Sequence, residues 1–360
     1  MRDLQVGAQH HREESEEEGK RADEPDKATQ YYLEKRLPEG ETELPLERYI
    51  QAQEEMKLMP LYSTADNRLY SRAELRGGVE QPKLGTWSSL GPGNIGGRTR
   101  AILINPQDPN IMYAASVTGG VWKSTNAGQS WTPVSDLIAN VGVSSLAFEP
   151  GKPNGIYAGT GEGYEIGSSN GVNINGSYRG LGIYKSSDSG ATWTRLPTTN
   201  TADFYYVNKL AVSTVSPQRV YAATSTGVWR SDDGGATWTR VHNPGTRGGC
   251  LDLAIRTDQQ SDVVLAACGT LSQASVFRNP DAGGAGAWTS VLSDPGMGRT
   301  VIAFAPSNQN VAYALSTAFT GTFTNSLHAL FRSTDGGVGQ ELGERLLVVH
   351  DRIVQQPQQL

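Results

Sequence analysis

Residues 182–195, GIYKSSDSGATWTR, return as residues 227–240, GVWRSDDGGATWTR, and the 45-residue interval between the two copies decides the fold. Both contain the pattern S-x-D-x-G-x-T-W. It falls on Ser186, Asp188, Gly190, Thr192 and Trp193 in the first copy, and on Ser231, Asp233, Gly235, Thr237 and Trp238 in the second. A short Asp side chain can accept backbone N–H bonds within its own turn, and Gly supplies a positive φ. The flanking β-branched and aromatic residues suit strands. The motif therefore predicts a hairpin turn whose Trp buries a large face between strands or blades. An Asp bonded into its own turn is not free to move protons, so these carboxylates are expected to be structural. They also lack the further oxygens and terminal Glu of a calcium loop.

The same texture extends in both directions. Residues 111–134 carry a variant at Ser124, Asn126, Gly128, Ser130 and Trp131, and residues 263–291 a degenerate unit. A last unit, residues 311–337, reaches Ser333, Asp335 and Gly337 and then stops without a Thr-Trp. Each unit resolves into four strands; in the second these are VSSLAFEP, GIYAGTG, GIYKS and TWTRL. Four strands per repeat at this period are the mark of a β-propeller, one blade per repeat. The predicted fold is thus all-β, a propeller of about five four-stranded blades over residues 83–337. GTWSSL, Gly85–Leu90, resembles an outer strand without a blade of its own. Residues 338–360 form a divergent tail of helix-like character.

Ahead of the repeats, residues 1–25 are charged and poor in apolar groups, which predicts disorder. Residues 26–82 carry apolar positions at helical spacing interrupted by Pro38 and Pro45, a helical extension or linker. The net charge of −6 is concentrated at this end: residues 1–60 hold 16 of 37 acids and 9 of 31 bases, leaving 21 acids and 22 bases for the rest. A near-neutral body has no field to draw in nucleic acid. No apolar run reaches the roughly 20 residues that span a bilayer, and no signal-peptide segment is visible. The only cysteines, Cys250 and Cys268, lie in adjacent predicted strands, and a hairpin centred on Gln259 sets them opposite each other. A cross-strand disulfide and two buried thiols are equally compatible with that placement. No metal site or cofactor is expected.

In a propeller the loops between second and third strands share a face with the starts of the first strands, opposite the box turns. Two such loops are long, Gly161–Gly180 and Ser316–His328. They supply Tyr164, Asn173, Asn175, Tyr178 and Arg179, then Phe319, Phe323 and Asn325; Arg98, Arg100, Tyr206, Asn208 and Arg299 start the first strands. Aromatic faces beside amides suit a sugar or peptide. Glu162 is the one carboxylate candidate for catalysis in this set. His242 and His328 are read as loop residues without a nucleophile partner.

GPGNIGGRTRAI, TGGVWKSTNAG, YAGTGEG and the repeated boxes, over residues 86–337, resemble the Asp-box or BNR-repeat propellers. The texture is most similar to exported bacterial "glycosyl hydrolase, BNR repeat" and sortilin-like proteins. The resemblance implies an exported protein, and it carries unrelated functions on one scaffold. Sialidase-like members have an Arg-Ile-Pro motif, absent here. Xyloglucanase-like members have a catalytic Asp just before the Gly-Gly of the first blade, a position held here by Val117. An inverting glycosidase needs two carboxyl groups. The expected function is therefore a non-catalytic binding or adhesion module for a polysaccharide or protein, the alternative being a glycosidase with non-standard carboxylates. Two ring geometries are open: five blades closed by Thr86–Leu90, or a truncated piece of a larger ring, which would expose apolar surface between blades and be prone to self-association. The resemblance favours the second, since its members carry seven or more blades.

Overall fold

The computed structural model describes residues 98–117, 119–134, 142–163, 179–246, 248–269, 272–319, 327–339, 344–349 and 352–355, with scattered positions between 48 and 71. It divides into two compact units, Met1–Gly96 with Ser168–Ile174, and Gly97–Gly167 with Asn175–Leu360. In the first, Arg48, Gln51, Ala52, Glu54, Glu55 and Leu58 are helical. They precede a hairpin of β1 (Leu61–Ser63) and β2 (Arg68–Tyr70), paired Leu61 to Tyr70. The helical extension predicted over residues 26–82 thus includes a two-stranded sheet. Helical periodicity in the preceding residues gave no sign of it.

The second unit is all-β, built from propeller blades. Blade 1 comprises β3 (Thr99–Ile104), β4 (Met112–Ser116), β5 (Gly120–Ser124) and β6 (Thr132–Pro133). Blade 2 comprises β7 (Val143–Glu149), β8 (Lys152–Thr160), β9 (Ile183–Ser186) and β10 (Thr194–Arg195). Blade 3 comprises β11 (Val207–Val212), β12 (Val220–Thr224), β13 (Gly227–Ser231) and β14 (Thr239–His242). Blade 4 comprises β15 (Cys250–Ile255), β16 (Val264–Cys268), β17 (Ser275–Asn279) and β18 (Thr289–Leu292). Blade 5 comprises β19 (Met297–Phe304), β20 (Ala312–Ala318), β21 (Leu327–Ser333), β22 (Glu344–Val349) and β23 (Arg352–Gln355). Every sheet is antiparallel in chain order. Successive first strands pack side by side, β3 on β7, β7 on β11, β11 on β15 and β15 on β19.

Two expectations are corrected at the C-terminal end. Blade 5 does have an outer strand, because Glu344 and Leu346 pair with Arg332 and Leu330, and β23 extends the sheet further. The tail is therefore strand rather than helix: RLLVV and RIVQ carry the density of apolar and β-branched residues that favours a ladder, although no Trp announces it. Similarly, His242 ends β14 and His328 lies within β21, so neither is a loop residue. The strand Thr86–Leu90 lies outside the described residues.

The boxes form the expected turns. In the second, Ser186 Oγ donates to Asp188 Oδ1 (2.8 Å) and accepts from Gly190 N (2.8 Å); Thr192 donates its N–H to Oδ1 (2.8 Å) and its hydroxyl to Oδ2 (2.6 Å). Ser231, Asp233, Gly235 and Thr237 repeat this set, and Asn126 replaces the carboxylate in blade 1, accepting from Ser130 N at 2.9 Å. In blade 5 the N–H groups of Val338 and Gly339 take the place of Thr at Asp335. The box glycines Gly128, Gly190, Gly235 and Gly337 all have positive φ, which the turn requires. Each box Trp donates its indole N–H to the box Gly carbonyl, Trp131 to Gly128, Trp193 to Gly190 and Trp238 to Gly235.

The turns also join blades. The carbonyl of the fourth box residue accepts from the preceding blade at every junction: Ser189 O from Tyr113 Oη (3.0 Å), Gly234 O from Tyr157 Oη (3.2 Å), Ala282 O from Arg230 Nη1 (2.7 Å) and Gly336 O from Arg278 Nε (3.2 Å). Around these bonds lie apolar clusters; one joins Leu265, Ala267 and Val276 of blade 4 to Ile302, Ala314 and Phe331 of blade 5. Between blades 2 and 3, short 3-10 turns at Pro197–Thr199 and Ala202–Phe204 bury Phe204 against Trp229 (5.2 Å) and Trp238 (5.4 Å). Of the two states open for the cysteines, the disulfide is the one present: Cys250 pairs with Cys268 across the ladder and is bonded to it. With a sequence separation of 18 between the cysteines, the bond restricts the denatured chain by about 3 kcal/mol in the loop-entropy account.

Candidate functional site

Each first strand has a bulge near its start. The register shifts between Thr99 and Ala101, Val143 and Ser145, Val207 and Lys209, Cys250 and Asp252, and Met297 and Thr300. A bulge inserts an unpaired residue and re-aims its side chain. Here the inserted residues Arg100, Ser144, Asn208, Leu251 and Arg299 all line one cavity of about 330 Å3, with Lys209, Asp252, Thr300 and residues 144–146 completing its wall. Five equivalent positions thereby converge on one space although they are scattered over 200 residues of chain.

Glu162, just past β8, lies beside this space and is almost fully buried. Arg98 Nη2 donates to its Oε2, and Arg100 Nε stands 3.0 Å from its Oε1. Burial pushes the Glu162 carboxyl above its ordinary range, while the charges of Arg98, Arg100 and Arg299 oppose that shift. Burial lowers the Arg100 value, with its neighbours Arg299 and Arg98 acting in the same direction. Asp252 is likewise pushed up by burial, against Lys209 at 3.6 Å and the N–H groups of Ile302 (2.8 Å) and Leu253 (3.0 Å) that it accepts. Its bond to Ile302 ties blade 4 to blade 5, as Ser145 Oγ ties blade 2 to blade 3 by accepting from Leu210 N (2.8 Å). Asp252 is thus committed to the scaffold.

The long loop of blade 2 leaves from the same end. Its stem is pinned: Gly180 N donates to Tyr205 O (2.7 Å), Leu181 N to Thr160 Oγ1 (2.7 Å), and Gly163 N to Asn208 Oδ1 (3.1 Å). Gly161 and Gly180 pass so closely that a Cβ on either would enter the other's backbone. Arg179 stacks on the Tyr205 ring, 3.7 Å from its centroid.

Of the sequence-derived candidates, Arg100, Asn208 and Arg299 meet at the cavity, with Arg98 and Glu162 beside it. Arg179 and Tyr206 stand at the loop stem, Tyr206 abutting Gly163. Tyr164, Asn173, Asn175, Tyr178, Phe323 and Asn325 lie outside the described residues. The sequence reading missed Ser144, Ser145, Lys209, Asp252 and Thr300, which an alignment of the five first strands on their bulges would have exposed. Val117, where a xyloglucanase-like protein has its catalytic Asp, is buried and bonds Arg98 O through its N–H (3.2 Å). His242 stacks on Trp288 (5.0 Å) and meets Phe277 at a tilt (4.4 Å), and burial holds it down at about 4. His328 Nε2 is 2.5 Å from Asp294 Oδ2. Among the described residues no His/Cys/Asp/Glu cluster could hold a metal, and no helix is long and apolar enough to cross a membrane.

No family model matches the chain. Curated relatives include a xyloglucanase of Hypocrea jecorina (strain QM6a), 32% identical over 120 residues, and one of Paenibacillus sp, 30% identical over 119. Each alignment covers 31% of this chain, but only 13% and 11% of those proteins. Among solved structures, an ancestral GH74 enzyme aligns with TM-score 0.49 and 19% identity over 65% of this chain and 30% of its own. The Niastella koreensis GH74 enzyme aligns with TM-score 0.48 and 20% identity, covering 68% and 38%.

Proposed function

We propose that the chain is an exported, Asp-box type propeller that binds an acidic polysaccharide at the mouth of its blade channel, on a glycoside-hydrolase-like scaffold but without hydrolysing the ligand. The observation that carries this reading is the convergence of the five bulges on one polar cavity beside the stem of a long loop. Among the described residues, the cationic side chains of Arg98, Arg100, Lys209 and Arg299 stand there together with the carboxyls of Glu162 and Asp252. Guanidinium groups, which pair with carboxylates, suit an anionic ligand, and hydroxyl and amide groups of Ser144, Asn208 and Thr300 suit sugar hydroxyls.

A second reading, hydrolysis, draws on the sequence similarity to xyloglucanases and on the raised Glu162 carboxyl, a property of general acids. It requires a partner carboxylate, and Asp252 is held by two backbone N–H donors and Lys209. Titration calorimetry with polygalacturonate and with xyloglucan, alongside a reducing-end assay, separates the readings. Saturable binding of the acidic polymer without new reducing ends is expected. Release of reducing ends from either polymer, abolished by Glu162→Gln, would establish the second reading. Binding of neither polymer would remove the polysaccharide and leave a protein ligand.

A further inference from the structure

Residues 293–298, SDPGMG, connect blades 4 and 5 and contain one of the two Asp-Pro bonds in the chain, the other being Asp108–Pro109. Met297 N donates to Asp294 O (2.9 Å) across a turn with Pro295 second and Gly296 third; Gly296 has φ 87°, the pattern of a type II turn. Gln273, at the entry to β17, fastens this turn from outside. Its Nε2 donates to the same Asp294 O, and its Oε1 accepts from Gly296 N (3.1 Å). The carbonyl that precedes Pro295 thus accepts from two donors. The Asp294 carboxyl meets blade 5, where His328 Nε2 lies 2.5 Å from Oδ2. A carboxylate only accepts, so the imidazole N–H is the donor. Both side chains are largely withdrawn from water, Asp294 at 11% and His328 at 12% exposure. A type II turn needs only the Met297 bond and its Pro and Gly. The further donors gather on the carbonyl and the carboxyl of one residue, next to a prolyl nitrogen, whose extra alkyl group makes it a better proton acceptor than an ordinary amide.

We propose that Asp294–Pro295 is a self-cleaving peptide bond, cut by the Asp294 carboxylate with His328 as proton donor and with Gln273 and Met297 N–H stabilising the oxyanion. Oδ1 attacks the carbonyl carbon of its own residue, forming a C–O bond and closing a five-membered ring, so proximity is supplied within the residue. Negative charge develops on Asp294 O, where the two donors already point. Collapse of this intermediate breaks the C–N bond. The proton that His328 gives to Oδ2 passes to the Pro295 nitrogen, which leaves as a secondary amine. One water then opens the cyclic anhydride left on Asp294 to its α- and side-chain carboxylates, and the two protons released go to His328 and the new amine. The cut falls just ahead of β19, whose bulge carries Arg299 into the cavity. Blade 5 stays in place through its apolar cluster with blade 4 and the Asp252–Ile302 bond, so the product is a nicked propeller. The proposal does not rest on the polysaccharide reading.

Asp108–Pro109 is the built-in control. Its carbonyl accepts from Ile111 N (3.0 Å), but its Oδ1 is taken up by the N–H and the side-chain amide of Asn110 (both 3.0 Å) rather than by an imidazole. Incubation of the purified full chain at mildly acidic pH, followed by denaturing gels and intact mass spectrometry, tests the proposal. Two pieces are expected, one ending at Asp294 and one beginning at Pro295, together heavier than the chain by one water, with Asp108–Pro109 intact. Urea, which dismantles the site, should abolish the cut; this arm and the internal control need no substitution. Asp294→Asn keeps an acceptor for His328 but loses the carboxylate, and should stop cleavage. His328→Gln keeps a donor but loses the proton transfer, and should slow cleavage roughly hundred-fold. Circular dichroism checks that both variants fold. A chain that stays whole overturns the proposal. So does cutting that persists in urea or reaches both Asp-Pro bonds alike, which is ordinary acid lability, and so does cutting of Asp294→Asn at the native rate, which is a contaminating protease.

Discussion

The box turns and the channel mouth both hold carboxylates, and the same chemical group is set in opposite ways. Asp188 and Asp233 are exposed, yet each accepts a Thr hydroxyl, a Thr N–H and a Ser hydroxyl, and both are held down at about 2. Glu162 is buried, and removal from water pushes its carboxyl up even with two arginines against it. Hydrogen bonding from within its own turn makes a carboxylate permanent and structural; burial beside partly exposed cations leaves it able to respond to pH and ligand. The repeated acids belong to the fold, and the singular one lies at the candidate site.

The largest effect that sharpens the contrast is on the turn side. In Gly235→Val a Cβ would be forced into a residue with φ of 98° and against Leu196, so strain and overpacking act together. A loss of about 3 kcal/mol is expected, read from urea unfolding of the purified chain. Polygalacturonate affinity of the remaining folded protein should be unchanged, because the turn is at the far end of the strands. Equal damage to binding and stability would mean that the two ends are not separable.

On the mouth side, Glu162→Gln removes one negative charge from the cationic cluster while leaving an amide oxygen for Arg98. Affinity for an acidic polysaccharide should rise roughly five-fold, about the 1 kcal/mol that one charge a few ångströms away is worth in bulk water. Protonation does the same to the native chain. The folded carboxyl lies above its ordinary 4.5, so lowering the pH from 7 should strengthen binding of the acidic ligand with a midpoint above 4.5, and the Gln variant should lose that step. A raised carboxyl also means that protonation favours the folded state, so this group adds stability as pH falls. The turn aspartates have the opposite sign. Their folded values near 2 lie below the ordinary 3.8, so their contribution is complete above 3.8 and is lost as pH falls toward 2. Isothermal titration across pH, beside acid unfolding followed by circular dichroism, would show the binding step above the stability loss; a reversed order would break the comparison.

The same division explains what was legible in the sequence. The turns, the blade period and the facing of Cys250 and Cys268 depend on neighbours within a few residues or on one hairpin, and local chemistry specifies them. Arg100, Asn208 and Arg299 were found by their position at strand starts, and Glu162 as the carboxylate of the TGEG stretch at the end of β8. Lys209 and Asp252 were not, because only the shared bulge register turns them toward the same cavity as residues from three other blades. Blade 5's outer strand escaped because the Thr-Trp signal is replaced there by N–H donors from Val338 and Gly339, which the sequence does not distinguish from any other backbone.

The smallest effect is a null that the molecule itself supports. Asn126 occupies the acid's place in blade 1, accepting from Ser124 Oγ (2.9 Å) and Ser130 N (2.9 Å) through its side-chain carbonyl, while its amide donates to Ser130 Oγ (2.9 Å). The turn therefore needs a short side chain with an oxygen at Oδ1, not a negative charge. Asp188→Asn keeps that oxygen and can reverse the Thr192 bond, since a hydroxyl accepts as readily as it donates. The urea midpoint at pH 7 should stay within measuring error of the native chain, whereas Asp188→Ala, which leaves the Thr192 N–H and the Ser186 hydroxyl without their acceptor, should lower it. If the Asn variant fell as far as the Ala variant, charge would be what holds the box together, and the turn carboxylates would no longer differ in kind from Glu162.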